Sequence, residues 1–294
     1  MDGRYCCLAV QTFLPYPSFA RSAAVLDSRR LGKQRVEALQ ILRALHLEGY
    51  GWANHPAVLM WRGYTRALVA YGLAVAYEWQ ERGHADTTRD NIAEFARPAP
   101  ALVESRLPAG ERPPWLGWSA LHRSHQAALM RKDAAAYESA FPGVRIDHPY
   151  IWPEPLHDRL PEQPFTAWVV RAPTKETLTR FREHGFVGVP AALGAEDAKP
   201  KQRRQWRRWQ DEPRVGHWVV VPDGDELRCG RIEGEPTGRD LAGSPFMTRA
   251  VRWEQVVPRS ALSRPFQLQD PQTVFALRGE RSPEVDVSQR LEHQ

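Results

Sequence analysis

The stretch Leu26-Asp-Ser-Arg-Arg-Leu-Gly-Lys-Gln-Arg-Val-Glu-Ala-Leu-Gln-Ile-Leu-Arg-Ala-Leu45 carries the strongest structural signal in the first half of the chain. Its apolar residues recur at the spacing of an amphipathic helix. On one side of that helix lie Leu31, Ala38, Leu42 and Leu45. Asp27 stands where an N-cap carboxylate accepts the first free backbone N–H groups. The pattern predicts a helix that begins directly after Asp27.

The opposite side of this predicted helix is polar and holds Arg30, Lys33, Glu37 and Gln40. One carboxylate, Glu37, therefore lies within helical reach of two cations. Two interpretations are open: a solvated face crossed by ion pairs, and a catalytic site built on Glu37. Gly32 is unusual, because glycine inside a helix costs about 0.5–1 kcal/mol relative to alanine. We expect another helix or a phosphate to approach the backbone there.

The composition is that of an ordinary globular protein. With 294 residues, of which 42% are hydrophobic, two domains are expected. The formal charge of +5 and the pI near 9.3 suit a polyanionic partner. Cys6, Cys7 and Cys229 form no metal-binding or disulfide spacing, so we expect a reduced, cytoplasmic protein with no metal and no cofactor. No apolar run approaches the roughly 20 residues that span a bilayer, and no signal peptide is recognisable.

Two further helices are predicted before residue 155. The first opens at Asn54-His55-Pro56, with Asn54 as its cap, and runs to Gly83. The second runs from Ala120 to about Tyr137. Its polar residues are expected to form a basic surface that either contacts phosphates or is simply solvated. They are His122, Arg123, His125, Gln126, Arg131 and Lys132.

Extended segments flank these helices. Residues 11–17 contain two prolines and are expected to lead into the first helix without regular structure. Residues 147–153 carry Tyr150 and Trp152. Such aromatics can stack on an unpaired base or can form a packing flap, and both interpretations stay open.

The second half changes from helical to strand periodicity after a proline-containing linker at 156–164. Six short strands are predicted, near residues 167–171, 185–189, 217–221, 230–232, 248–253 and 273–277. Many short strands with one or two helices predict a small β-barrel. The expected fold class is α+β, with an all-α domain at 1–155, a barrel at 165–280 and a polar tail at 281–294.

One segment of the second half, Lys199–Trp209, places six cations around two tryptophans. Basic residues with interleaved aromatics are what phosphate contact and base stacking need. A solvated helix anchored by its tryptophans has the same pattern. We expect the tryptophans to face inward and the arginines outward.

Several short motifs of the first half together resemble a bacterial and phage family related to the pyrimidine-dimer DNA glycosylases. They are Leu26-Asp27, Arg30-Leu-Gly-Lys-Gln-Arg-Val-Glu37, Gly51-Trp52, Asn54-His-Pro56, Trp61-Arg-Gly-Tyr64, Trp115-Leu-Gly117, His122-Arg-Ser-His125 and Arg131-Lys-Asp133. One branch, the Brig-type antiphage enzymes, removes glucosylated cytosine from phage genomes. The resemblance implies a helical glycosylase-like domain whose partner is double-stranded DNA with modified bases, such as phage DNA.

The resemblance also implies catalytic residues. The dimer enzymes carry their catalytic glutamate in a His/Arg-Leu-(five residues)-Glu pattern, which Arg30, Leu31 and Glu37 match. We assign catalysis to Glu37, with Lys33, Arg30 and Asp27 beside it. Arg30 and Lys33 are expected to hold phosphates and to lower the pKa of Glu37, so that its carboxylate stays ionised.

The chain departs from the dimer enzymes at its N-terminus. Those enzymes use the amine of a processed N-terminus as nucleophile, but neither Met1-Asp2 nor a start at Val10 favours removal of the methionine. Lys33 is an alternative nucleophile, because a desolvated lysine amine can attack C1′.

Further residues are assigned to contact with DNA. For the backbone and the neighbourhood of the site they are Arg35, Asn54, His55, Arg62, Arg123, His125, Arg131 and Lys132. For stacking on a flipped base they are Trp52, Tyr150 and Trp152.

The second half resembles the PUA/EVE-like barrels attached to restriction and defence nucleases. The likeness rests on Val215-Gly216, Val219-Val-Val-Pro-Asp223, Arg252-Trp253, Val257-Pro-Arg-Ser-Ala-Leu-Ser263 and Gln272-Thr-Val-Phe275. It implies a pocket for a modified base, with Trp218, Trp253 and Arg259 as candidates.

Together these features predict a DNA glycosylase that flips a modified base, excises it and leaves an abasic site, in defence against phage. One alternative is a non-enzymatic reader of modified DNA or RNA. Another is a repair glycosylase for pyrimidine dimers with lyase activity. A metal-dependent nuclease is disfavoured, because the sequence shows no acidic cluster able to hold magnesium.

Overall fold

A computed structural model of the chain describes residues 10–97, 106–157 and 160–279. Cys6, Cys7, Met1-Asp2 and the polar tail predicted at 281–294 lie outside these residues. The chain divides into two compact units, Met1–Pro161 and Glu162–Gln294. The boundary falls within the segment 156–164 that the sequence marks as a linker. The two units together are of mixed α+β character.

The described part of the first unit is helical. Its helices are α1 (Phe19–Val25), α2 (Ser28–His46), α3 (Pro56–Leu59), α4 (Thr65–Glu81), α5 (Arg89–Ala93), α6 (Ser119–Lys132) and α7 (Ala134–Tyr137). The predicted start of α2 is confirmed, because the Asp27 carboxylate accepts the backbone N–H of Arg30 at 3.0 Å. Its core gathers large side chains from several helices, such as Phe19, Trp61 and Tyr71, all fully buried.

The glycine inside α2 is explained by its neighbour. A Cβ at Gly32 would come within 2.9 Å of the Trp79 ring, which α4 lays across the α2 backbone. Only a residue without a side chain lets the two helices approach this closely. The expected close approach by another helix is therefore confirmed.

The helix predicted from Asn54 to Gly83 is in fact two helices. The break falls at Gly63, whose φ of +94° suits glycine and whose Cβ position is filled by Leu156. The cap is also corrected: His55 Nδ1, rather than Asn54, accepts the backbone N–H of Ala57 at 3.1 Å.

The helix predicted from Ala120 to Tyr137 is also interrupted. The backbone leaves the helical conformation at Asp133, with φ −165° and ψ 87°. The Asp133 carboxylate then accepts the backbone N–H of Ala136 at 3.2 Å and so starts α7. An aspartate side chain that binds backbone N–H groups disfavours continuation of a helix through its own position. Asp133 therefore ends α6 and caps α7.

The second unit is a curled sheet that forms a half-barrel, flanked by helices. Its strands are β1 (Phe165–Val170), β2 (Phe186–Pro190), β3 (Trp218–Asp223), β4 (Glu226–Ile232), β5 (Thr237–Leu241), β6 (Ser244–Pro258) and β7 (Val274–Arg278). The order is β2-β6-β4-β3-β1-β7, with β5 paired to β6. The β1–β3 pair is parallel, while the other pairs are antiparallel.

All six predicted strands are present, and β5 was missed. Thr237-Gly-Arg-Asp-Leu241 is poor in β-branched and aromatic residues, and most of it is exposed. It becomes a strand by pairing with the long β6. Helix α8 (Lys175–His184) and helix α9 (Pro200–Asp211) belong to this unit, as do short 3-10 helices at Ala191–Gly194, Arg259–Ala261 and Pro265–Gln269.

No helix in the described ranges is both long enough and apolar enough to cross a lipid bilayer.

Candidate active site around Glu37

The Glu37 carboxylate on α2 is buried, although the helix pattern placed it on the polar side. Its side chain is only 7% exposed, whereas that of Lys33, one turn earlier, is 60% exposed. Lys33 Nζ lies 3.2 Å from Glu37 Oε1, and Gln34 Nε2 donates to Glu37 Oε2 at 3.1 Å. The backbone N–H of Gln11 also favours the ionised form of this carboxylate and lowers its pKa. A solvated face is therefore the wrong interpretation for Glu37.

Burial determines the acidity of Glu37. It raises the pKa above the ordinary value of 4.5, against the opposing effects of Lys33, the Gln11 N–H and the more distant Lys132. The predicted depression of this pKa is therefore wrong, since desolvation outweighs the neighbouring cations. Arg30, which was expected to contribute, pairs with Asp27 instead.

An extended segment at residues 11–15 covers this part of α2. Gln34 accepts the backbone N–H of Phe13 at 2.8 Å and donates to the carbonyl of Gln11. Tyr71 Oη donates to the Phe13 carbonyl at 3.0 Å, and Tyr150 Oη donates to the Thr12 carbonyl at 2.9 Å. Buried backbone groups normally find partners within a helix or a sheet. Here side chains from separate elements supply them instead.

Two histidines of α6 hold the same segment from another side. His122 Nδ1 donates to the carbonyl of Leu14 at 2.8 Å, while the N–H of Leu14 donates to His125 Nδ1 at 2.9 Å. One turn on, Gln126 Nε2 donates to the carbonyl of Pro15 at 2.8 Å. We call this set of bonds, from Gln34, Tyr71, Tyr150, His122, His125 and Gln126 to residues 11–15, the segment clamp.

The two histidines are buried and neutral, which corrects the predicted basic surface of α6. Burial lowers the pKa of His125 to about 3 and lowers the pKa of His122 as well. His125 was assigned to DNA contact, but it is fully buried. Its role in the structure is to bind the backbone of Leu14.

Asp27 and Arg30 form a second cluster at the start of α2. The Arg30 guanidinium pairs with the Asp27 carboxylate and lies 3.6 Å from Asp133. Tyr137 Oη donates to Asp27 Oδ2 at 2.5 Å. The pKa of Asp27 is lowered: burial raises it, but the hydrogen bonds from Tyr137 and Arg30 outweigh that effect. Asp27 and Arg30, both assigned to catalysis, thus bind each other and the α6–α7 junction.

The aromatic residues assigned to base stacking lie in one continuous series. Trp52 packs edge-to-face on His55 at 5.6 Å between ring centroids, and His55 packs on Trp152 at 5.9 Å. Trp152 lies 4.4 Å from Tyr150, which stacks on His125 at 4.4 Å. The series runs from the exposed Trp52 to Tyr150, whose pKa is raised by burial and then by the nearby Glu37 carboxylate.

Trp52 has an unusual backbone conformation. Its φ is +74°, in the left-handed region that large side chains rarely adopt. Its side chain is also 49% exposed. Strain of this kind tends to be kept at functional positions.

Some residues assigned to contact with the DNA backbone bind other protein groups, whereas others are exposed to solvent. Arg35 lies 3.6 Å from Asp86 and over the Trp79 ring, so its guanidinium contacts α4 and the segment that follows it. Arg131 donates to the carbonyls of Ile146 and His148, and Arg62 donates to that of Ala53. Arg123, Lys132 and Asn54 are exposed. Of these residues, Lys132 acts on the site, because its positive charge lowers the pKa of Glu37.

The three residues assigned to a base pocket in the second unit each make contacts within that unit. Trp218 is 5% exposed, and the Arg231 guanidinium lies 4.3 Å above its ring. Trp253 donates its indole N–H to the carbonyl of Phe181 at 3.1 Å. Arg259 donates to the carbonyl of Pro265 at 3.2 Å. Each of these side chains serves the packing of its own unit.

Sequence reasoning missed Gln34, Gln11 and Tyr71. Gln34 stood inside the quoted helix, three residues before Glu37, and this spacing alone places its amide beside the carboxylate. The contribution of Gln11 comes from its backbone, which leaves no signal in the residue type. The apolar pattern places Tyr71 in the core. It does not show that the Tyr71 hydroxyl also binds the Phe13 carbonyl.

Within the part of the chain that the structure describes, no group of three or more His, Cys, Asp or Glu residues is arranged to hold a metal ion.

Comparison with known proteins found a similarity within the first unit. Neither the curated proteins nor the solved structures gave a match to the chain. Residues 10–92 match a family model described as pyrimidine dimer DNA glycosylase. The matched region contains Glu37, Lys33 and Gln34 together with Trp52 and His55, while α6 and Tyr150 lie beyond it. This part of the chain is thus similar to a family of DNA glycosylases.

Proposed function

We propose that the protein is a DNA glycosylase that uses Glu37 to break an N-glycosidic bond. The observation that carries the proposal is a buried carboxylate, 7% exposed, held by Lys33, Gln34 and the Gln11 N–H inside a region matched by a glycosylase family. Burying a carboxylate is unfavourable, and ionisable groups whose pKa is shifted by burial cluster at functional sites.

The chemistry follows from the charge that develops during cleavage. Loss of the base gives the sugar oxocarbenium character, as in glycoside hydrolysis, and a nearby carboxylate stabilises that positive charge. A site with little water strengthens this interaction. Gln34 and the Gln11 N–H hold the carboxylate in one orientation, so no reorganisation is needed during the reaction.

Lys33 fits a supporting role better than a nucleophilic one. An amine is activated by desolvation or by a neighbouring cation. The Lys33 side chain is 60% exposed and pairs with a carboxylate, which is the opposite environment. We therefore propose a monofunctional glycosylase that leaves an abasic site, with Lys33 and Lys132 facing the DNA phosphates.

The aromatic series supports base flipping. A base inside a duplex must leave the stack before the bond to its sugar can be attacked, at a cost of a few kcal/mol. Trp52 is exposed, and its neighbours lead toward Tyr150 beside Glu37. We propose that Trp52 and Trp152 stack on the flipped nucleotide or fill the gap that it leaves.

The substrate proposal is a modified cytosine, specifically glucosylated hydroxymethylcytosine of phage DNA, and the cellular role is defence against phage. It rests on the resemblance of the first half to the Brig-type enzymes. The PUA/EVE-like identity of the second unit is likewise a proposal from resemblance.

The decisive experiment incubates the purified protein with unmodified DNA, ultraviolet-irradiated DNA and glucosylated hydroxymethylcytosine DNA. Aldehyde-reactive abasic sites are measured before and after alkali. Glu37→Gln is compared with Glu81→Gln, which changes an exposed carboxylate of the same unit. We expect abasic sites in glucosylated DNA with the wild type and Glu81→Gln, and strand cuts only after alkali. Excision by Glu37→Gln should be slower by about 100-fold or more.

Other outcomes have definite meanings. Direct nicking without alkali would restore an amine nucleophile, and excision confined to irradiated DNA would make the protein a dimer repair enzyme. Binding of one DNA without change to any would favour a non-enzymatic reader. Full activity of Glu37→Gln would refute the catalytic assignment.

A further inference from the structure

The outer surface of α9 in the second unit carries charge that the proposed chemistry does not use. Arg203, Arg204 and Arg207 are exposed and share one side of this helix, with Lys199 and Lys201 near its start. Arg203 and Arg207 are one turn apart, so their guanidinium groups project in nearly the same direction. We call Arg203, Arg204 and Arg207 the α9 arginine face.

The inner side of α9 is fixed to the sheet. Trp209 is fully buried and donates its indole N–H to the carbonyl of Met247 at 2.9 Å. Gln205 accepts the backbone N–H of Thr273 at 2.8 Å. The buried Arg249 donates to the carbonyls of Trp209 and Gln210 at the end of the helix. The α9 arginine face is therefore presented by a rigid support, which a binding surface needs.

Several other exposed arginines of the second unit pair with carboxylates, in contrast to this face: Arg180 with Glu176 at 2.9 Å, Arg252 with Glu233 at 2.9 Å and Arg182 with Asp223 at 3.6 Å. The exposed Arg214 and Arg239 have no carboxylate partner among the described residues either, but Arg214 donates to backbone carbonyls and Arg239 lies over the Phe186 ring. Among the described residues, no carboxylate pairs with a member of the α9 arginine face.

The charges are also unfavourable for α9 itself. The helix Pro200–Asp211 has no acidic residue in its first turn, and its one acid, Asp211, is the last residue. Cations near a helix N-terminus oppose the dipole, and like charges three or four residues apart repel, each by a few tenths of a kcal/mol. A polyanion bound along the helix removes both penalties.

We infer that the α9 arginine face is a DNA-backbone contact site, separate from the Glu37 site in chain position and in chemistry. Arginine forks match phosphate oxygens, and three of them on one side of a helix suit a row of phosphates. Such contacts add affinity without reading sequence. The inference rests on the proposed function in one respect, namely that the polyanion is DNA.

The test measures binding of the full chain to a short unmodified DNA duplex, and to an RNA duplex of the same sequence, over a range of salt concentrations. The triple variant Arg203→Ala, Arg204→Ala, Arg207→Ala is compared with Arg180→Ala, Arg182→Ala, Arg252→Ala. Both variants lose the same charge, but the control removes arginines that are already paired. Thermal unfolding of both triple variants is measured to check that they are folded.

We expect the α9 variant to bind DNA at least about tenfold more weakly at low salt, with a salt slope smaller by about 3, one for each phosphate that the variant no longer neutralises. The control should keep nearly the wild-type slope. Equal losses in the two variants would mean that only net charge matters and would overturn the inference. Unchanged DNA binding by the α9 variant, with or without loss of RNA binding, would also overturn it.

Excision is measured separately on the same variants. Because unmodified DNA has no base to remove, the binding result does not depend on Glu37. A failure of the α9 site therefore leaves glycosylase activity intact, and a failure of the glycosylase proposal leaves the salt slopes unchanged.

Discussion

Helices α2 and α9 are both rich in charged residues, but the key charges of α2 are paired within the protein and those of α9 face solvent. On α2 the buried Glu37 has three polar partners, and Arg30 is paired with Asp27. On α9 the exposed arginine face has no carboxylate partner among the described residues. A charged group that is buried away from water needs polar partners within the protein. An exposed charged group is solvated by water and stays available to bind a ligand. The first arrangement suits chemistry on a bound group, and the second suits attraction of a polyanion.

The largest effect is expected when the buried charge of α2 is removed. Glu37→Gln should lower the excision rate by about 100-fold or more, the usual cost of losing a main electrostatic contact in a transition state. Single-turnover excision, with binding measured in parallel, checks this. A loss of binding equal to the loss of rate would mean that Glu37 binds DNA and does not act in the chemical step.

The same variant has an opposite effect on stability. The pKa of folded Glu37 is raised above 4.5, so the wild type loses stability as pH rises from 4.5 through the folded pKa. Glu37→Gln does not ionise and should therefore unfold at a higher temperature than the wild type at neutral pH, with the difference vanishing below pH 4.5. Equal unfolding temperatures throughout would mean that the carboxylate is fully compensated.

The next largest effect is expected from removing Gln34, the hydrogen-bond partner of Glu37. Gln34→Ala removes the groups that bind the Phe13 N–H and the Gln11 carbonyl. A buried polar group left without a partner costs about 1–3 kcal/mol, so the free energy of unfolding should fall by at least that amount. Chemical denaturation measures it, with Gln40→Ala on the same helix as the control.

A smaller effect is expected from Lys33. Lys33 lowers the pKa of Glu37, so Lys33→Met should raise that pKa further. If catalysis needs the ionised carboxylate, the acid limb of the excision rate should move to higher pH. A pH profile under single-turnover conditions tests this, and a shift toward lower pH would contradict the assigned interaction.

The smallest effect is expected on the unfolding temperature when the α9 arginine face is removed. Removing Arg203, Arg204 and Arg207 should leave the unfolding temperature unchanged or slightly higher, because like-charge pairs on a helix repel by about 0.2–0.5 kcal/mol each. Added salt should abolish the difference. A marked loss of stability would show that these arginines have structural contacts and would remove the contrast.

The two helices also show how far the sequence alone leads. Period and capping predict α2, and period is compatible with α9. The expected orientation on α9 holds for the inward Trp209 and the outward Arg203, but the Arg208 side chain is only 12% exposed and lies over the Trp168 ring. The polar side of α2 was misread because its cover comes from elsewhere. Residues 11–15 lie over it, held by His122 and His125, which are more than a hundred residues away from Leu14 along the chain. Helical periodicity carries no information about such distant contacts.

The segment clamp sets the order in which the site can form. Its bonds join residues 11–15 to α6 and to Tyr150, with sequence separations of 108 for Leu14–His122 and 138 for Thr12–Tyr150. Contacts between distant residues carry the loop-closure cost and form slowly. During synthesis, α2 can form early, but the cover over Glu37 must wait until residue 150 has left the ribosome. A half-made chain would therefore contain the glutamate without a site, and DNA would meet a competent enzyme only after the first unit had folded as a whole.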